Sequence, residues 1–579
     1  LDESQRLGMQ QTAMAGLRVR HRSFTPRPAL APVHRKERRM SSSEYTYQSP
    51  VDPLTPVEQL AGWFTVATIH VAVGLVLGLV AVHALRGWHL RWTWAAAGLI
   101  VVALTRAALG DGTAFTLGAA ALCATVRGRR WHREDIETGA DMADVAAARI
   151  GPLDLARRLV RGIELRRGAI ASDGWFRDGR LILGCERDGR AVTIPLGGEN
   201  GGTHTLVVGA TRSGKTVTMT WMAGRAIERA IGAIVLDPKG DCDLRRELRD
   251  VARRVGRPFL EWTPRGPSVY NPYARGSETE IADKVLAGER FTEPHYLRQA
   301  QRYLGHEVRV LRKAGLEVSL RALVHHLDPS RLERLARSLP ESEARAAHDY
   351  LDSLTPRQQS DLAGVRDRLA IMAESDIGDL LDPRTPDLER VDLLQAAKSG
   401  AVVYFNLEAD RRPLLAQMLG AAIVQDLQAM VAALQARPAP TLVMIDEFSA
   451  IVPERVVGLF ARAGGAGVSL VLGTQELADL RVPGREALLE QIMGNLSVLI
   501  AHRQVVSASA ELIAGVTEAR GVWRTSRHGD GKLTRTRGFE HALRAEQVMS
   551  LPRAWAAVVG LADGGRVSIA RILSPRHDR

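Results

Sequence analysis

The chain opens on residues with no apolar period. Residues 1–50 hold nine basic side chains (Arg6, Arg18, Arg20, Arg22, Arg27, Arg35, Lys36, Arg38, Arg39) against four acids, with interspersed prolines. This predicts a basic disordered arm over 1–60. Met40, followed by a Ser-rich stretch, is a candidate start, with the 39 residues before it as upstream read-through. The pattern then changes sharply. Residues 61–85 (AGWFTVATIHVAVGLVLGLVAVHAL) run 25 positions without Asp, Glu, Lys or Arg, long enough to cross a hydrocarbon layer of about 30 Å. His70 within it reads as a packed or interface histidine rather than a proton relay. A second apolar stretch over 93–109, broken by Arg106, predicts the return limb of a transmembrane hairpin within 61–126. A third, 113–126, is short enough to be re-entrant, interfacial or the end of a longer hairpin. The basic arm before the hairpin and Arg127, Arg129, Arg130 and Arg133 after it both favour the cytoplasmic side, so two spans are expected.

Residues 127–180 read as a helical connector. From Leu181 the texture turns strand-like: LILGCERDGRAVTIPL predicts a hairpin turning at Asp188-Gly189. Apolar runs follow at THTLVVG (203–209), 233–237, 401–406, 441–446, 468–473 and 497–501, separated mostly by helical periods. That alternation predicts an α/β fold, a parallel sheet with helices on both faces. Residues 277–395 carry Leu, Ala, Arg and Glu at helical spacing and predict an all-helical insert, leaving 181–276 and 396–579 as the sheet domain.

Composition changes this picture in one respect. All but seven of the 77 basic residues are arginine and the formal net charge is +12, which favours anionic partners such as nucleic acid or the cytoplasmic leaflet. Three cysteines, Cys123, Cys185 and Cys242, have no paired spacing and predict neither a disulfide framework nor a metal site.

Candidate chemistry lies at strand ends. Gly209-Ala210-Thr211-Arg212-Ser213-Gly214-Lys215-Thr216 fits the phosphate-cradling pattern G-x-x-x-x-G-K-[ST], after an apolar strand and before a helical period. In such a loop the backbone amides and the helix N-terminus bind phosphate. Lys215 neutralises the β- and γ-phosphates, and the Thr216 hydroxyl enters a Mg²⁺ shell. The strand over 441–446 delivers Asp446, expected to hold Mg²⁺ through water, and, next to it, Glu447, expected to polarise the attacking water. Gln475, after the 468–473 strand, has an amide suited to the γ-phosphate or that water. Asp237 heads an Asp-Pro-Lys-Gly-Asp run and reads either as a contact to the nucleotide or a neighbouring subunit, or as a turn acid. Arg462 and Arg503 are candidates for the arginine that steadies a phosphoryl transition state. Farther on, 520–537 gathers Arg520, Arg524, Arg527, Lys532, Arg535 and Arg537 around Trp523 and an Asp530-Gly531 turn. It reads as a cationic hairpin for a phosphate backbone or as a solvated loop.

The order THTLVVGATRSGKT, IVLDPKGD, Asn271-Pro272-Tyr273, helical insert, TLVMIDEF, GVSLVLGTQ and NLSVLIAHR resembles the coupling ATPases of conjugation and type IV secretion. These are the TraG/TraD-like branch of the FtsK/HerA group of P-loop motors. The resemblance covers about 180–575 and implies a RecA-like P-loop NTPase using ATP and Mg²⁺, with Walker A at 209–216 and Walker B at 441–446. It further implies a multi-pass anchor in the cytoplasmic membrane, a homo-hexameric ring in the cytoplasm, and delivery of DNA with relaxase or relaxosome proteins to a type IV secretion channel. Arg212 departs from the pattern, which has glycine there. An ATPase for protein substrates shares the same motifs, and a non-hydrolysing membrane adaptor is a third reading that Glu447 and Gln475 argue against.

Overall fold

The computed structural model describes residues 56–137, 151–168, 172–197, 201–451, 453–527 and 533–575, apart from 89, 290, 292 and 482–486. The basic arm, most of the connector and the Asp530-Gly531 turn lie outside the described residues.

Among the described residues sixteen strands are formed: β1 Phe176–Arg177, β2 Arg180–Cys185, β3 Ala191–Ile194, β4 His204–Val208, β5 Gly232–Asp237, β6 Phe259–Trp262, β7 Ser268–Tyr270, β8 Glu389–Val391, β9 Val402–Asn406, β10 Thr441–Ile445, β11 Val468–Thr474, β12 Val498–Ala501, β13 Ala519–Arg527, β14 Leu533–His541, β15 Trp555–Gly560 and β16 Arg566–Ile572. Twelve join one sheet, in the order β1-β2-β16-β15-β12-β4-β11-β10-β5-β9-β6 with β3 beside β2. From β12 to β6 every pairing is parallel. From β12 outward through β15, β16 and β2 it is antiparallel. The central strands β4, β5, β10 and β11 are buried along their whole length, which is why they read as unbroken apolar runs. Alternate residues feed two cores. Leu206, Val208, Ile234 and Val443 face one layer, while Val207, Val235, Met444 and Val471 face the other. The first layer includes the helix Pro413–Leu434, apolar enough to span a membrane but mostly buried here. It is continuous with the insert through Tyr303, Leu304 and Leu323.

The insert consists of helices from Glu278–Leu286 to Pro356–Ala373, begun by caps the sequence supplies: Ser277 with Glu280 and Thr355 with Gln358 form reciprocal capping boxes. It is not wholly helical. The short strand β8, inside the segment expected to be all-helical, pairs with β7 and closes the insert; three residues are too few to show a period of two.

Ahead of the sheet, α1 (Pro56–Gly87), α2 (Thr93–Thr105) and α3 (Asp111–Glu137) form a bundle. Gly74 lies against Thr116, Ala119 and Ala120, Gly78 against Ala120 and Cys123, and His83 against Trp131, so α1 and α3 run side by side in the same direction. Small residues four apart allow this close backbone approach. His70 is a packed residue: its Nδ1 lies 2.9 Å from the Thr116 hydroxyl and its ring covers Gly112. The arrangement therefore differs from the expected two-limbed hairpin. The 13 residues of α2 reach only about 20 Å at 1.5 Å per residue, because the helix gives way to a 3₁₀ turn at Arg106–Ala108. The third apolar stretch instead becomes the first half of the long α3. Residue Arg91 pairs with Asp154 at 3.3 Å on α4 (Pro152–Gly168), and Arg158 of α4 donates to the Arg187 carbonyl of the β2–β3 turn, tying the bundle to the sheet.

Candidate nucleotide site

The loop after β4 is held from several sides. Gly209 N–H donates to the Thr474 carbonyl (3.2 Å), Ala210 N–H to that of Arg503 (3.1 Å), and Ala554 N–H to that of Ser213 (3.0 Å). Gly214 takes φ +119° and begins α5 (Lys215–Glu228), a conformation open to glycine. Arg212 has φ +63°, which explains in backbone terms why glycine is usual there; a non-glycine residue costs roughly 1–2 kcal/mol. Its side chain is exposed.

The charged residues converge. Lys215 is buried, its Nζ 2.8 Å from Asp446 Oδ1 and paired also with Glu447. Gln475 Nε2 donates to Glu447 Oε1 at 3.2 Å, and its carbonyl accepts from the Thr211 hydroxyl at 3.3 Å. Glu447 adopts φ +44°, with its own N–H donating to Asp446 Oδ1 at 2.9 Å. Burial pushes the Glu447 carboxyl up, but Lys215 and Lys239, the latter 3.1 Å away, outweigh it and hold the group below the ordinary carboxylate range. A β-carbon on Gly473 would fall 2.6 Å from Asp446 Oδ1, so that glycine admits the carboxylate. Thr216, half-buried on the first turn of α5, and Asp446 supply a hydroxyl and a carboxylate, hard oxygen donors of the kind Mg²⁺ takes.

Three candidates are placed elsewhere. Asp237 is buried and fully engaged. It accepts from the N–H groups of Lys239, Gly240 and Asp241 and from the Tyr404 hydroxyl at 2.8 Å, so it is the turn acid that shapes the loop carrying Lys239. Burial raises its pKa. Arg503 follows β12 and holds the phosphate loop through its carbonyl, its side chain exposed. Arg462 ends the helix Pro453–Ala463, just ahead of β11. The seven residues of β11, at about 3.3 Å each, put it roughly 20 Å from the Gln475 end, so it cannot serve the nucleotide loop of its own chain.

Two residues of the site were not singled out by the sequence. Lys239 was visible as a cation two positions past a strand end. His502 gave no such signal: its Nδ1 donates to the Trp555 carbonyl (3.0 Å), leaving Nε2 to accept from the Thr218 hydroxyl (2.8 Å). Burial pushes its pKa down to about 4, so it is a neutral strut between α5 and β15.

Residues 190–565 match the family model described as "Type IV secretion-system coupling protein DNA-binding domain". Among solved structures, the unbound monoclinic form of the bacterial conjugative coupling protein TrwBdeltaN70 aligns at 16% identity and TM-score 0.51, covering 71% of this chain and 91% of that one. The plasmid coupling protein TrwB in complex with ADP and Mg²⁺ aligns at 16% identity and TM-score 0.47, over 64% and 85% of the two chains. VirB4 of Thermoanaerobacter pseudethanolicus aligns at 14% and 0.48, over 70% and 99%. The first of these carries the likeness in fold. No curated protein sequence matches the chain. An α/β P-loop fold with the family model matched over most of its length places this chain in the family of type IV secretion-system coupling proteins.

Proposed function

We propose that this coupling protein is a membrane-anchored ATPase that moves DNA, with its relaxase or relaxosome proteins, into a type IV secretion channel. The observation that carries the reading is the cluster of Lys215, Asp446, Glu447 and Gln475 at one strand edge. The phosphates of ATP bind the amides of 209–216 and the N-terminus of α5, and Lys215 exchanges its carboxylate partners for phosphate oxygens. Glu447, kept ionised by Lys239, is then free to orient the attacking water. Thr216 and Asp446 hold Mg²⁺, which when bound neutralises phosphate charge. Arg462, remote from its own loop, fits this scheme only by reaching a neighbouring subunit in a hexameric ring, whereas Arg503 supports the phosphate loop of its own chain through its carbonyl.

The anchor is the α1–α3 bundle, whose α1 is long and apolar enough to cross a membrane. Arg86 and Arg127 both stack on Trp131, so the basic ends of α1 and α3 coincide, and we assign this end to the cytoplasm. Turnover by the full chain in lipid nanodiscs, with and without single- and double-stranded DNA, tests the reading. Stimulation by DNA is expected. Nucleotide binding without turnover supports the adaptor instead, and turnover indifferent to DNA but raised by a secreted protein supports protein export.

A further inference from the structure

The phosphate loop holds a residue that its backbone does not favour. Ser213 N–H donates to the Ala210 carbonyl at 3.0 Å and closes a four-residue turn with Arg212 in third place. At φ +63° that place ordinarily takes glycine or asparagine, because a β-carbon there crowds the following carbonyl. The strain is sustained from outside the turn: Ala210 N–H is bound to the Arg503 carbonyl, the Ser213 carbonyl to Ala554 N–H, and the Thr211 hydroxyl to Gln475 Oε1. Packing gives the Arg212 side chain nothing in return. It is exposed, and among the described residues it makes no hydrogen bond, ion pair or ring contact. A strained residue fixed by its surroundings in a ligand-binding loop, with no structural partner, points to a task for its side chain.

Charge indicates what that task is. In the cluster beside the loop two cations meet two acids, Lys215 with Asp446 and Glu447, and Lys239 with Glu447. These charges cancel, whereas ATP remains a net anion even with Mg²⁺ bound. Arg212 adds an unmatched positive charge to a turn whose amides belong to the phosphate cradle. Its guanidinium is a flat fork of donors that suits phosphate oxygens two at a time. We infer that Arg212 closes over the phosphate chain of ATP held in its own loop, from the solvent side, and adds a charged grip to that of the amides and Lys215. The inference rests on the nucleotide-binding reading above and extends it to a side chain. It accounts for arginine in a place that glycine would occupy without strain. An acid on a neighbouring subunit is the rival partner. It is disfavoured because the phosphates lie against the very turn that carries Arg212, so the contact needs no second chain.

Titration of the full chain in lipid nanodiscs with a fluorescent ATP analogue, at low and at high salt, tests the contact. Arg212→Gln keeps a long polar side chain and removes the charge. Its affinity should fall about tenfold at low salt, and the salt dependence of binding should flatten, because screening has one charge fewer to act on. Arg212→Lys should recover most of the lost affinity. Arg212→Gly should bind as weakly as Arg212→Gln while its denaturation midpoint shifts upward, since relief of the strain exceeds the freedom that glycine adds to the unfolded chain. Affinity and stability then move in opposite directions, which a residue kept for structure alone would not show. Parental affinity and salt dependence in Arg212→Gln overturn the contact and leave the nucleotide site standing. Parental binding with turnover lost also overturns it, in favour of the neighbouring subunit. Failure of the parent itself to bind the analogue overturns the nucleotide site and the contact together.

Discussion

The two ends of β4, β10 and β11 belong to the same strands and are built for opposite purposes. At the carboxyl ends, side chains meet: Lys215, Asp446, Glu447, Gln475 and Lys239 lie within one hydrogen-bonded cluster. At the amino ends the main chain closes on itself. Gly202 N–H donates to the Gly464 carbonyl, Ala439 N–H to that of Ala466, Thr441 N–H to that of Gly467, and Thr203 N–H to the Ser469 hydroxyl. The difference follows from parallel topology. Crossover helices begin at the carboxyl ends, leaving free amides and positive dipole ends there for an anion. At the other end the chain only has to enter the sheet without stranding polar groups.

The comparison breaks first, if at all, at Lys215. Lys215→Ala should lower ATP turnover by at least about 10³-fold, since one preorganised charge on a phosphoryl transition state is worth that much. Glu447→Gln should lose turnover comparably but retain nucleotide, because it keeps the shape of the pocket and removes only the base. Titration with a fluorescent ATP analogue distinguishes them, and equal loss of binding in both would remove Glu447 from the role of water-orienting base.

At the sealed end the expected damage is to stability. A β-carbon on Gly202 would sit 1.9 Å from the Val468 carbonyl oxygen, a backbone atom that cannot swing away. Gly202→Ala should cost about 1–3 kcal/mol, as overpacking does, with affinity for nucleotide unchanged. Chemical denaturation and the same titration check the two halves of that statement. A variant that keeps its stability but loses nucleotide would show that the ends are not separate.

Much of this division was legible in the sequence. The buried runs of β4, β5, β10, β11 and β12 and the strand–loop–helix setting of 209–216 are local patterns, and each falls where the pattern put it. Asp188-Gly189 likewise makes its turn, with Gly189 at φ +86°. What was not legible depends on strand order. β15 and β16 join the sheet beside β12 through antiparallel pairing, and only that pairing brings the Trp555 carbonyl to His502. Asp237 and Arg462 were ambiguous for related reasons: the sequence puts Asp237 at the carboxyl end of a strand but not which neighbouring groups it meets, and Arg462 ahead of a strand but not how far that leaves it from the nucleotide loop. The direction of α3 relative to α1 rests on Gly74 and Gly78 packing on α3, and apolar runs alone contain no handedness.

His502 offers a graded test, because it couples the phosphate loop to the antiparallel strands. Its folded-state pKa of about 4 lies below the ordinary histidine value near 6.5. The unfolded chain therefore takes up a proton first as pH falls. The stability this residue contributes is full above pH 6.5 and is lost as pH drops toward 4, by about 2 kcal/mol at pH 5. His502→Asn retains a donor for the Trp555 carbonyl and does not titrate. It should be less stable at pH 7 than the parent, yet show a shallower loss between pH 7 and 5. Parallel denaturation curves for the two proteins over that range would mean that His502 is not buried neutral.

The smallest expected effect is at Lys239, and its direction depends on what occupies the loop. Lys239 is half exposed, so solvent screens its attraction for Glu447, and Lys215 is the larger of the two charges holding that carboxyl down. In the free protein, Lys239→Gln should therefore raise the Glu447 pKa only a little. Turnover needs Glu447 ionised and fails as pH falls through that pKa, so the acid limb of kcat/KM should move up by less than about half a pH unit. With ATP bound, Lys215 is drawn to phosphate and Lys239 becomes the chief cation beside Glu447. The acid limb of kcat, which reports the bound state, should then move farther than that of kcat/KM. Equal movement of the two limbs would mean that Lys215 does not change partners when nucleotide binds. No movement in either would mean that Lys239 belongs to the surface and that the cluster at the carboxyl end stops at Lys215.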